Sequence, residues 1–311
     1  MTIDLAPLAS QTRILFTVEL RPVQGARFQP TGFPDLGAAT YQAGTPSLLV
    51  ESAQSMANRL ENVCWDDANN DLVPALAGLS YVRVEQDGNY LTSSVTEAHR
   101  LNSPYILEGK DRAFFDRLRE ELGVLASGPI DRKLLAKILL KYDANALLHG
   151  LFLAKKDLAG GRLRVARAVS AFVEAENVQV AMSGGVKNDH VDPQGEAAKG
   201  FGNVPFSREE YTAESIKAYF SIDLAQIRGY GLDDDATQML VLLALYKIRV
   251  LLDGDLRFRT ACDLEVASDS IVASRPAGFA LPSREDLEAG LRASIDGVGE
   301  SMQVETVNYT K

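Results

Sequence analysis

The sequence predicts an α+β fold, a βαββαβ sheet of the split ferredoxin-like (RRM-like) kind that carries a helical insertion and one long loop. Three observations lead there. Short β-branched runs alternate with 3.6-residue apolar periods in the order strand, helix, strand pair, then strand, helix, strand. Two helical patterns, Asp111 to Leu122 and Asp131 to Tyr142, interrupt that order. The stretch from Ser183 to Arg208 is rich in Gly, Asn and Pro, and is longer than the connections that compact domains carry without a use for them. With 311 residues the chain can bury a large core, as one elaborated domain or as two.

Arg13 to Leu20 is short, apolar and β-branched, and reads as a buried first strand. Arg21 to Gly44 is punctuated by Pro22, Gly25, Pro30, Gly32, Pro34 and Gly37 beyond any regular structure. Thr45 and Pro46 offer an N-cap and a first-turn proline to a helix whose Leu49, Ala53, Met56 and Leu60 make one apolar stripe. Ser55, Asn58 and Arg59, at i, i+3 and i+4, share a polar patch on it. Leu79 to Glu85 and Tyr90 to Val95 flank Asp87-Gly88, a hairpin signal, and supply the strand pair. The two insertion helices follow, with acidic N-caps, the first ended by Gly123.

Leu147 to Ala154 reads as extended, and Leu163 to Ala175 as strand, with Arg164 and Arg167 in opposite period-2 registers. Ile216 to Ile227 is a further strand. Asp233 to Leu252 is the clearest helix, with acids at its positive end and Gly254 closing it. Leu256 to Val266 alternates as a last strand, Arg284 to Ala293 is a surface helix, and Gly297 to Lys311 shows no definite pattern.

The net charge is −10 and the pI about 4.9, which argues against a generic polyanion binder. The charge is uneven, however. Glu61 to Asp71 holds four acids and no base, whereas Lys155 to Arg167 sets Lys155, Lys156, Arg162, Arg164 and Arg167 against Asp157 alone, so a basic face fits on an acidic body. Cys64 and Cys262 stand far apart and indicate neither a disulfide framework nor a zinc knuckle. Met1 to Ser10 lacks the features of a signal peptide and no apolar run reaches membrane-spanning length, so a cytoplasmic protein with no membrane partner is expected.

Candidate binding residues concentrate in two loops and one helix face. Lys187, Asn188, His190, Asn203 and Arg208 can hydrogen-bond phosphates or base edges, and Phe201 and Phe206 offer stacking faces. Arg21, Gln24, Arg27, Phe28 and Gln29 put cations, amides and an aromatic after the first strand. Such a mix suits single-stranded nucleic acid. Asp189, His190 and Asp192 are too close in sequence to converge on a metal without partners from elsewhere.

Specific stretches resemble a known family. Arg21 to Gly37, Leu48 to Glu61, Ser183 to Pro193, Gly200 to Arg208 and Asp223 to Leu232 look like the RAMP-superfamily backbone subunit of the subtype I-G (formerly I-U) CRISPR surveillance complex, Cascade. The resemblance implies a hand-shaped protein. Residues 1–110 are the first part of its palm, 111–162 a helical finger-like insertion, 163–182 a palm strand, 183–208 the thumb loop, and 209–311 the rest of the palm with a C-terminal tail. Copies of such a subunit polymerise along a CRISPR RNA and leave its bases free to pair with target DNA, beside other Cascade subunits and an effector helicase-nuclease. RNA contact then falls to Arg21, Arg27, Phe28, Gln29, Ser55, Asn58, Arg59, Arg164, Arg167, Lys187, Asn188, His190, Phe201 and Arg208. No cofactor, metal or catalytic residue is implied. In a related branch a loop Asp of the backbone subunit cuts RNA with a metal ion, and Asp35 is the residue here that invites that alternative; it reads rather as a turn or capping acceptor.

Overall fold

A computed structural model describes residues 3–33, 37–254, 256–268 and 270–310. Asp35 lies outside them. Strand β1 (Arg13–Pro22) runs through the middle, and its Ile14, Phe16, Val18 and Leu20 alternate inward as the period of two requires. After it come β2 (Thr40–Gln42), β3 (Pro46–Glu51) and helix α1 (Ala53–Asn62). The helix expected from Thr45 is corrected here: Ser52 is the cap, accepting from the Ser55 N–H, and Pro46 opens a strand, where a missing N–H is tolerated.

β4 (Tyr81–Gln86) and β5 (Asn89–Ser93) form the expected hairpin, with Asp87 and Gly88 both at positive φ in the turn. Helices α2 (Ala113–Gly123) and α3 (Arg132–Tyr142) form within the stretch where the insertion is expected, the latter capped by Asp131. Then follow β6 (Val169–Glu176), β7 (Gln179–Lys187), β8 (Val204–Thr212), β9 (Ser215–Asp223), α4 (Asp234–Asp253), β10 (Leu256–Arg259), β11 (Cys262–Val266), β12 (Ala273–Arg275), α5 (Arg284–Val298) and β13 (Val304–Asn308).

One antiparallel sheet runs in the order β10-β11-β1-β9-β6-β3-β2, with β12 beside β11 on the same edge of β1. β1 and β9 pair from Arg13 with Asp223 to Leu20 with Ile216. Ile216, Ala218, Phe220 and Ile222 of β9 turn inward with the apolar residues of β1. α4 is apolar on most of its surface because it is covered from two directions: it packs against α1 and against α5, whose Leu287, Leu291 and Ile295 are buried.

Several sequence expectations give way to long-range pairing. The hairpin β4–β5 is not part of this sheet; it joins β13, parallel to β4, in a separate three-stranded sheet, so the tail expected to lack structure holds a strand. The strand pair of the main sheet is β6 and β9, linked through β7 and β8. Residues 163–175 divide into Leu163–Val165, paired with Leu151–Leu153, and β6. The strand expected to Ile227 stops at Asp223, whose carboxylate accepts from the Gln226 N–H and caps the short helix Leu224–Gly229. Residues 256–266 fold back at Ala261, at φ 60°, into two strands. α5 extends past Ala293 to Val298 and belongs to the core.

The interior also holds a polar chain. Glu61 on α1 accepts two bonds from Arg100 (2.7 and 2.8 Å) and one from the Asn145 amide (2.8 Å). Fully buried Lys247 of α4 donates to Asn145 and meets His149 Nε2 at 3.1 Å. Asp143 accepts from the Ala146 N–H, and burial pushes its carboxyl up to about 7. Burial and the Lys247 charge drive His149 well below its ordinary value. This network ties α1 and α4 to the segment that follows α3.

Candidate nucleic-acid interface

The segment expected to be one long loop is mostly a two-stranded ribbon. β7 and β8 pair residue for residue, from Gln179 with Thr212 to Lys187 with Val204, leaving 188–203 as the tip. Opposed residues of an antiparallel ladder share a face, and neighbours along a strand alternate. One face therefore carries Arg208, Phe206 and Lys187, and the other Val180, Met182 and Val186, all three exposed. Gly185 stands opposite Phe206, and a Cβ there would lie 3.2 Å from the ring. Bare backbone lets the ring lie across the ribbon, where it stays 53% exposed.

At the ribbon's root the chain after β1 is fastened down. Phe28 and Tyr211 exchange backbone bonds of 2.9 and 2.8 Å, and the Gln29 N–H donates to Ala261 at 2.7 Å. These bonds close a cleft of about 600 Å³ whose polar lining includes Arg27, Arg208, Glu210, Arg257 and Asp263. Buried Glu210 organises it: one oxygen accepts from Arg208 at 2.7 and 2.9 Å, and the other lies 3.4 Å from Arg27. Arg257 lies 3.5 Å from Asp263, and Arg21 pairs with Glu265 at 2.8 Å just outside. Gln29 Oε1 lies 3.5 Å from Arg208. The ring of Phe28 is 1% exposed and packs in the core.

The tip is folded around Asp189. Its carboxylate accepts from the N–H groups of Val191, Asp192 and Gly202, and these donors hold it below the usual carboxylate range. Asn203 Oδ1 accepts from the Asp189 N–H at 2.7 Å. Asn188, His190 and Phe201 are exposed there, as is Lys187 at the end of β7. Among the described residues no group of three His, Cys, Asp or Glu side chains stands close enough to hold a metal ion.

The α1 patch gathers around a buried carboxylate. Glu51, 1% exposed, accepts from Ser55, from Arg59 Nε and Nη2 (3.2 and 3.1 Å) and from Arg259. Arg59 also donates to the carbonyls of Arg257 and Phe258 and lies over the Phe258 ring, so most of its donors are engaged. Asn58 is exposed and accepts from Gln54. Arg164 and Arg167 stand at the opposite end of β1: Arg167 bonds Ala53 O and Gln54, and Arg164 covers Phe152 at 4.3 Å. The structure thus joins Arg27, Gln29 and Arg208, sets Lys187 and the tip residues further along the ribbon, and separates Arg164 and Arg167 from them. Sequence reading missed Arg257 and Asp263, which reach the cleft through the hairpin turn at Ala261.

Comparison with known proteins adds one family. The sequence profile described as CRISPR-associated protein GSU0053 matches residues 14–180, more than half of the chain. Among solved structures, the chain is similar to one titled CRISPR RNA-guided surveillance complex, pre-nicking, at 14% identity and TM-score 0.43, covering 81% of this chain and 76% of that one. It is also similar to Csc2 of Thermofilum pendens, at 9% identity and TM-score 0.34, covering 96% and 81%. No curated protein matches.

Proposed function

Because the chain belongs to the CRISPR-associated protein GSU0053 family, we propose that it is a noncatalytic backbone subunit that binds CRISPR RNA in a surveillance complex of subtype I-G. In this reading β11, β1, β9 and β6 with α1 and α4 are the RRM-like palm. Their order in the sheet, β11-β1-β9-β6, with α1 between β1 and β6 in the chain and α4 between β9 and β11, supports that reading. The ribbon β7–β8 with its tip is the thumb, and α2 and α3 form the finger-like insertion. Copies line up head to tail along the guide and present its bases to target DNA, together with other Cascade subunits and a helicase-nuclease.

One observation carries the RNA reading: a single ribbon face aligns Arg208, Phe206 and Lys187 above the Arg27 cleft. Cations at that spacing suit phosphates and the exposed ring suits a base, with no demand on sequence, as a protein needs when pairing does the reading. Arg21, Gln29, Asn188, His190 and Phe201 extend the track on either side. The test is co-expression with a repeat-spacer RNA. Wild-type protein is expected to elute as RNA-bearing oligomers, and K187E/F206A, which touches only exposed side chains, to lose the RNA while staying folded. RNA-free wild-type monomer, or full loading of the variant, would sink the assignment.

A further inference from the structure

A cavity lined by unpaired cations lies away from the ribbon. A cavity of about 850 Å³ opens between α3, the Arg162–Ala166 segment and the helix Leu224–Gly229; Arg132, Arg162 and Arg164 line it together with Gln226 and Tyr230, and no Asp or Glu does. Among the described residues none of these three arginines has a carboxylate within 4.0 Å, whereas Arg21, Arg27, Arg208 and Arg257 around the ribbon root all do. On a chain of net charge −10, three unneutralised guanidinium groups around one carboxylate-free cavity are a concentrated positive field.

Their surroundings show what they suit. Arg162 is fixed by bonds to Leu125 O (3.2 and 2.6 Å) and Gly128 O (2.9 Å), which hold the wall of the cavity. Arg132 and Arg164 are exposed, at the start of α3 and in the Leu163–Val165 strand. Tyr230 is the one aromatic in the lining, and it is buried with its hydroxyl donating to Leu147 O at 2.6 Å; Phe152, outside the lining and 42% exposed, has the Arg164 guanidinium over its ring at 4.3 Å. Guanidinium groups without stacking rings fit a ligand that shows only phosphates, and a double helix is such a ligand, whereas unpaired strands call for rings. The site also stands apart from the ribbon. It adjoins the start of β1, where Ala225 N–H donates to Thr12 O, while the ribbon cleft adjoins the end of that ten-residue strand. Ten residues of strand put the two roughly 30 Å apart.

We propose that Arg132, Arg162 and Arg164 form a second anion site that takes the backbone phosphates of duplex nucleic acid, separate from the strand held at the ribbon. The site does not depend on the guide reading of the ribbon. The experiment is fluorescence anisotropy of the full chain with a labelled DNA duplex and with single strands of the same length, across a salt series. The variants are R132E/R164E and, as a milder pair, R132Q/R164Q; Arg162 is left intact because it holds the cavity wall. Duplex affinity is expected to fall at least ~10-fold, and the slope of log affinity against log salt to become shallower by about 2, one unit per lost phosphate contact. RNA loading at the ribbon and the melting temperature should not move. Unchanged duplex affinity and slope in both variants would overturn the proposal. So would loss of guide loading with duplex binding intact, which would make the cavity part of the guide track. If K187E/F206A loses RNA while R132E/R164E alone loses the duplex, both sites stand; if the first result fails and the second holds, only the ribbon reading falls.

Discussion

Arg59→Ala separates a phosphate contact from a structural ion pair. Glu51 is almost fully buried, and removing a partner from a buried pair leaves a charge without compensation, which costs about 3–5 kcal/mol where no other partner remains. Arg259 and Ser55 stay on Glu51 in the variant, so part of that loss is recovered. The cation–π contact with Phe258, at 4.8 Å, goes as well. The expected loss is about 2 kcal/mol, or roughly 3 °C in melting temperature for a chain of this size. The assay is urea and thermal unfolding of R59A, of E51Q and of the double variant, followed by RNA binding under conditions where each is folded. E51Q/R59A should lose less than R59A alone, because the stranded charge is gone. RNA affinity should change little. An unshifted melting temperature with weakened RNA binding and a salt slope shallower by about 0.7 would refute this reasoning and return Arg59 to the phosphate track.

Three more outcomes are expected. Phe28→Ala should cost about 3–5 kcal/mol by chemical denaturation, while Phe28→Leu keeps most of the stability and full RNA binding; weaker RNA binding by a stable F28L would place the ring against a base. Deleting Gly185 to Gly202 should leave the melting temperature nearly unchanged, since the buried ribbon side chains Glu210 and Tyr211 lie outside the cut, and should abolish oligomers on RNA; normal oligomers would remove the ribbon from assembly. For Asp143, burial raises the folded carboxyl from 3.8 to about 7, so the folded state keeps its proton longer than the unfolded one, and stability is lost as pH rises across that interval. His149 acts in the other direction, because its folded value is depressed and stability is lost as pH falls below about 6.5. Asp143→Asn should therefore be more stable than wild type at pH 8, by at most ~4 kcal/mol, and less different at pH 5; equal unfolding free energies at both pH values would show that the carboxyl titrates normally.

Elements defined by local pattern were legible. The alternation of Ile14, Phe16, Val18 and Leu20, the Asp87-Gly88 turn and the capped apolar run of α4 all form where the sequence expects them. Choice of partner was not legible. The hairpin β4–β5 reads as half of the main sheet until β13, more than 200 residues later, claims its edge. Gly184 and Gly185 weaken the strand signal of β7, and only the ladder to β8 reveals that the second glycine makes room for Phe206. The same limit governs the site. Arg59 and Arg208 are cations with helix-face and loop-like spacing, but Glu51, Arg259 and Glu210 decide how many of their donors remain, and two of these are brought in by the fold of the sheet.

Charge pairing also bears on how the proposed backbone subunit would hold RNA. A phosphate entering the ribbon cleft meets arginines that already have partners, and Glu210 cannot swing away because it is buried between two of them. Exposed pairs are worth only about 0–1 kcal/mol each, so Arg27 and Arg257 can be drawn off, yet the nearby carboxylates still subtract from each phosphate contact. Lys187 alone among the cations of that ribbon face has no carboxylate within 4.0 Å among the described residues. If the chain binds a guide as proposed, a single copy built this way would grip weakly and tight binding would call for several copies on one strand, where each bound neighbour raises the effective concentration for the next. On that proposal, a net charge of −10 with partly neutralised cations would favour a long guide filled cooperatively over scattered binding to other nucleic acids. Steep dependence of RNA occupancy on protein concentration, and little binding to an RNA long enough for one copy only, are the behaviour this arrangement requires.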